Sequence, residues 1–113
     1  MTSVIDLHTF DELKQMAGAD FIGELIQTFL EDSPQLIGQL HTALGSNDSD
    51  AFRRAAHSLK SNAASFGASD LSARARELEM LGREQKLGEI GSRLQLLEDA
   101  YQVAAQELKG MAS

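Results

Sequence analysis

Among the three histidines of this sequence, His57 is the one whose neighbours suit chemistry. On a helix turning about 100° per residue, Asp50, Arg53, Arg54, Lys60, Ser61 and Ala64 share its side. An isolated exposed histidine is most often an ordinary surface residue. Three features argue otherwise here. Lys60 stands one turn on, where its ammonium can balance an anion on the imidazole at roughly 1–4 kcal/mol, without being needed for folding. Ser61 and Ala64 are small and leave the ring open to a partner. Arg53 and Arg54 add positive charge to this face of an acidic chain. Neutral imidazole, with a reference pKa of about 6.5, is a competent nucleophile near pH 7 and can accept a phosphoryl group. The product would carry about two negative charges, which Lys60 partly balances.

Other candidates are weaker. His8 and His41 form no H-x-x-x-H or E-x-x-H pair and read as surface or helix-end residues, so no metal site is expected. There is no cysteine, which excludes disulfides and thiolate chemistry. Ser58 is adjacent to His57, and adjacent helical residues point apart. Glu31 and Asp32 read as a solvated face. Neither a G-x-x-x-x-G-K-[ST] loop nor a kinase glycine loop occurs, so the chain is not expected to phosphorylate itself from ATP; transfer needs a partner.

The elements that must hold His57 read as helices throughout. Thr9-Phe10-Asp11-Glu12 has the capping-box form, predicting a short first helix from there to about Gly18. A second helix is expected from near Asp20, with Ile22, Leu25, Ile26, Phe29, Leu36, Ile37, Leu40 and Leu44 as its stripe; Pro34 either kinks or splits it, and Gly45 is its stop. Asn47 to Ser49 offer N-caps for the third helix, whose core face is Phe52, Ala55, Ala56, Leu59, Ala63 and Phe66, with Gly67 placed to end it. A fourth runs from about Asp70, with Leu71, Ala75, Leu78 and Leu81 inward, and fades between Gly82 and Lys86. Leu87, Ile90, Leu94, Leu97, Tyr101, Ala104 and Leu108 alternate steps of three and four and mark the last helix. The fold predicted is all-α: an antiparallel four-helix bundle with a short additional N-terminal helix, one domain over residues 1–113 with its core at about 6–108.

Composition agrees. Only 5% of residues are aromatic, there is no Trp, and Pro34 is the single proline, which suits Leu, Ile and Ala packing in helices. The net charge of −7 disfavours nucleic-acid and anionic-membrane binding. MTSVIDLHTF does not read as a signal peptide and no apolar run approaches the ~20 residues of a bilayer span, so a cytoplasmic protein is expected.

Ala56-His57-Ser58-Leu59-Lys60-Ser61, followed by Ser65-Phe66-Gly67-Ala68, resembles the signature of histidine-containing phosphotransfer (HPt) domains, roughly A-H-x-L-K-[GS]-x-x-x-x-x-G. The likeness extends to Asp20-Phe21-Ile22 through Phe29-Leu30-Glu31-Asp32-Ser33-Pro34 before it and to Leu71 through Leu78-Glu79 after it, covering about residues 6–108. Ser61 departs mildly from the usual glycine. The resemblance implies a phosphorelay intermediate. His57, through Nε2, would take a phosphoryl group from a receiver-domain aspartate and pass it to another; Lys60 would neutralise the phosphate, and Gly67 would close the helix. The implied partners are response-regulator receiver domains and a hybrid sensor histidine kinase. No cofactor is expected on this chain, Mg²⁺ belonging to the receiver, and the chain is expected to act as a monomer. Arg53, Arg54, Ser61 and Ala64 form the expected docking face. The competing reading is a non-catalytic helical interaction module with an incidental histidine, which would more often place apolar anchors where Lys60 and Ser61 stand.

Overall fold

The computed structural model describes residues 4–112, and among these it is helical without strands. Five helices follow in order: α1 Leu7–Ala17, α2 Ile22–Gly45, α3 Ser49–Ser65, α4 Ser69–Arg83 and α5 Arg93–Met111, with a single 3₁₀ turn at Leu87–Glu89. Helices α2 to α5 form the bundle. Consecutive helices run antiparallel: Phe29 of α2 packs against Phe66 just beyond α3 with ring centroids 5.0 Å apart, Lys60 of α3 meets Ser72 of α4, and Glu77 of α4 meets Arg93 of α5. The chain is thus the expected four-helix bundle, with α1 as the extra N-terminal helix.

The apolar stripes become the core as their spacing requires. Phe52, Ala55, Ala56, Leu59, Ala63 and Phe66 are all buried, as are Leu71, Ala75 and Leu78 opposite them. Each large side chain so buried contributes on the order of 1.5–3 kcal/mol. The alanines let α3 and α4 pack along nearly their whole lengths. Leu81 is only partly buried.

Two helix starts differ from expectation. α1 begins at Leu7, because the Asp6 carboxylate accepts from the backbone N–H of His8 and Thr9 (3.1 and 3.4 Å) and so caps the helix ahead of Thr9. The Thr9 hydroxyl itself donates to Asp6, 3.2 Å away, and is not available as a cap. α5 begins at Arg93 and not at Leu87: Leu87 and Ile90 are buried, but they sit in the 3₁₀ turn and its edge, and the chain turns at Gly91 before the helix resumes the stripe.

α2 is not divided at Pro34. Proline has no N–H to offer the carbonyl four residues earlier. That carbonyl, Leu30 O, accepts instead from the Tyr101 hydroxyl of α5 at 3.4 Å. The third helix is capped by Asp48, whose carboxylate accepts from Ala51 N–H at 3.0 Å. It is followed by Gly67 at φ 80, a left-handed position where glycine carries no Cβ strain. A Cβ there would also meet the Asp6 carbonyl oxygen at 2.7 Å. The Asp6 N–H donates to Gly67 O, also at 2.7 Å, tying the α3–α4 turn to the start of α1.

Candidate functional site

His57 stands on the outer side of α3 with its side chain 56% exposed, opposite the buried row of Phe52, Ala56 and Leu59. Its ring is held from the next helix. Nδ1 lies 2.7 Å from Oε2 of Glu79 on α4, and the other oxygen of that carboxylate, Oε1, accepts from Lys60 Nζ at 2.6 Å. Arg83, one turn further along α4, approaches Oε2 at 3.5 Å. Glu79 is only 3% exposed. A buried carboxylate survives when charged donors satisfy it. Burial raises its pKa, but hydrogen bonds from Lys60 and then His57, with their charges, outweigh burial and hold the Glu79 carboxyl below its ordinary range.

An ionised carboxylate only accepts hydrogen bonds. His57 Nδ1 therefore carries the ring proton, and the lone pair of the neutral imidazole is on Nε2, which has no hydrogen-bond partner among the described residues. Lys60 is 28% exposed and its ammonium is fixed by its contact with Glu79. The expectation that Lys60 is unneeded for folding does not fit this geometry, because its removal strips the shortest donor from a buried anion.

The remaining expected residues fall on the same side without joining this cluster. Arg53 and Arg54 both turn to Asp50, at 2.8 and 3.2 Å, so their charge is partly offset. The Arg53 hydrogen bond and the Arg54 charge hold the Asp50 carboxyl below its usual range. Ser61 and Ala64 are exposed, as a docking surface requires. Beyond them a shallow groove runs past Ala64, Ser72, Arg76 and the half-exposed Met80. His8 pairs with Glu12 at 2.8 Å and His41 with Glu98 at 2.9 Å, both on the surface. No three such side chains among the described residues are grouped to hold a metal ion.

Sequence alone assigns Glu79 no role. Its signal was present: Leu71, Ala75, Leu78, Glu79 and Gly82 fall on one helical face, so a carboxylate occupies an inward position. A charged residue on a core stripe is seldom buried without a partner. Here the partners come from the chemically interesting face of the preceding helix.

Comparison with known proteins bears on the family and the fold. The Hpt domain family model matches residues 24–112. The chain is 32% identical to the phosphorelay protein LuxU of Vibrio harveyi over 107 residues, which is 88% of this chain and 94% of that protein. Its fold matches the crystal structure of histidine-containing phosphotransfer protein B (HptB) of Pseudomonas aeruginosa PAO1 with a TM-score of 0.92 at 26% identity, covering 99% of this chain and 96% of that one. The HPT domain of a hybrid sensor histidine kinase from Shewanella shares the fold, with a TM-score of 0.72 at 22% identity over 94% of this chain and 95% of that one. With the model spanning most of the bundle, the chain belongs to the Hpt domain family.

Proposed function

We propose that His57, through Nε2, is the atom on which this phosphorelay phosphotransfer intermediate carries its phosphoryl group. The observation that carries the reading is the hydrogen bond from His57 Nδ1 to the buried Glu79 carboxylate, which places the ring's proton on one nitrogen and its lone pair on the other. The Nε2 lone pair attacks the phosphorus of an aspartyl phosphate; the N–P bond forms as the P–O bond breaks, and the aspartate leaves as its carboxylate. The ring keeps its Nδ1 proton and so becomes cationic, and Glu79 at 2.7 Å balances that charge. Lys60 Nζ, one turn from His57 and held on the other oxygen of Glu79, supplies positive charge for the phosphoryl oxygens. Onward transfer runs the same steps in reverse on a second aspartate.

The donor and acceptor in this reading are receiver domains of response regulators, with a hybrid sensor histidine kinase upstream, and the chain works as a monomer in the cytoplasm. Mg²⁺ is brought by the receiver. Arg53, Arg54, Ser61 and Ala64 lie on the docking face, where exposed small side chains leave the ring accessible. Among the described residues no helix is long and apolar enough to cross a membrane.

Incubation with phosphorylated receivers and Mg²⁺ tests the assignment. The protein should gain an acid-labile, base-stable label, ATP alone should give none, and His57→Gln should abolish labelling with its helical circular dichroism unchanged. Label persisting on that variant would sink the reading. Lys60→Ala should slow transfer roughly 5- to 30-fold, and Lys60→Arg, which keeps the charge, should recover part of the loss.

A further inference from the structure

The near contact of α3 with α4 beside the His57 cluster depends on one residue without a side chain. A Cβ built on Gly82 of α4 would stand 3.2 Å from N, Cα and Cβ of Arg53 on α3. Among the nine glycines, only Gly67 and Gly82 would bring a Cβ this close to another part of the chain. Gly67 has a positive φ that explains it; Gly82 lies inside α4 and has none. Glycine is among the poorest helix formers, so local preference does not account for it either. What remains is distance. Gly82 is one turn beyond Glu79, and Arg53 is one turn before His57 on the antiparallel helix, so this contact flanks the Glu79–His57 hydrogen bond on both helices.

We propose that Gly82 is a positioning residue for phosphotransfer: its missing side chain lets α4 approach α3 closely enough for Glu79 to hold His57 Nδ1. This rests on His57 being the phosphoacceptor. The atoms a Cβ would meet belong to the Arg53 backbone and Cβ, which no rotamer change can move aside. Accommodating it means parting the two helices locally by a few tenths of an ångström. The two shortest donors to Glu79, at 2.6 and 2.7 Å, both come from α3, so parting the helices lengthens both bonds together. Charge-assisted bonds this short lose strength quickly as they lengthen. The ring then loses the fixed tautomer that leaves the lone pair on Nε2.

Four proteins decide it: wild type, Gly82→Ala, Glu79→Ala and the double variant. Each is assayed for transfer rate from a phosphorylated receiver, for the His57 tautomer by ¹⁵N NMR, and for its urea midpoint. Gly82→Ala should transfer about 3- to 10-fold more slowly and show a weakened preference for the Nδ1–H tautomer. Its urea midpoint should stay near wild type, because alanine's better helix propensity offsets the tighter fit. In the Glu79→Ala background the same change should have little further effect, since the bond it acts through is gone. Wild-type rate and tautomer in Gly82→Ala, or an equal loss in both backgrounds, would overturn the proposal. Should His57→Gln still be labelled, the acceptor assignment fails instead, and the two failures are separately visible.

Discussion

One carboxylate, Glu79, satisfies both a histidine and a lysine, and this sharing has a pH signature. The folded protein holds Glu79 below its ordinary value of 4.5, burial being outweighed by Lys60 and His57. A carboxyl whose pKa is depressed by folding stabilises the native state at pH values above its unfolded pKa; that contribution is lost as pH falls through the folded value. Urea midpoints should therefore drop as pH falls below about 4.5, and Glu79→Gln should flatten that part of the profile. An unchanged acid limb in Glu79→Gln would mean that other carboxylates carry it. At this scale His57, Lys60 and the small residues beside them were legible, because their types and one-turn spacing define a face. Glu79 was not, because its importance depends on which face of α3 meets α4, and no spacing within one helix contains that.

Helix identities followed from apolar period, while helix ends depended on competition between side chains. Thr9 has the residues of a capping box, yet Asp6 stands three residues earlier and its carboxylate accepts from His8 and Thr9 N–H, so the helix is already under way at Thr9. The stripe from Leu87 to Leu108 is continuous in period but not in helix, since apolar spacing reports burial and a 3₁₀ turn can bury Leu87 as well as an α-helix can. Pro34 left its effect open in the sequence because the Tyr101 hydroxyl that satisfies Leu30 O comes from α5, some seventy residues away. The α3–α4 turn offers the sharpest test of element docking. Gly67→Ala should cost about 1–3 kcal/mol by urea denaturation, since the new Cβ meets both a positive φ and the Asp6 carbonyl at 2.7 Å. The His57 tautomer should be unaffected, separating this glycine from Gly82.

Over the whole molecule charge is unevenly spread. The net charge is −7, yet eight of the ten basic residues lie between Arg53 and Arg93, on the stretch that carries the site. An acidic partner is then steered toward α3 and α4 and repelled elsewhere, an effect on encounter more than on the bound state. Arg53→Ala and Arg54→Ala should lower the association rate with a receiver, and raised salt should reduce the wild-type rate toward theirs. Asp50→Asn, which releases both guanidinium groups, should raise it at low salt. If salt leaves all four rates alike, steering plays no part. The bond between Tyr101 and Leu30 also serves the observer. With one tyrosine and no tryptophan, near-ultraviolet fluorescence from this protein comes from a single buried ring that packs 6.1 Å from Phe29. That ring bridges α2 and α5, which contribute nothing to the His57 cluster. A label-free emission change on phosphoryl transfer would thus report that the far half of the bundle had responded, whereas constant emission would confine the event to α3 and α4.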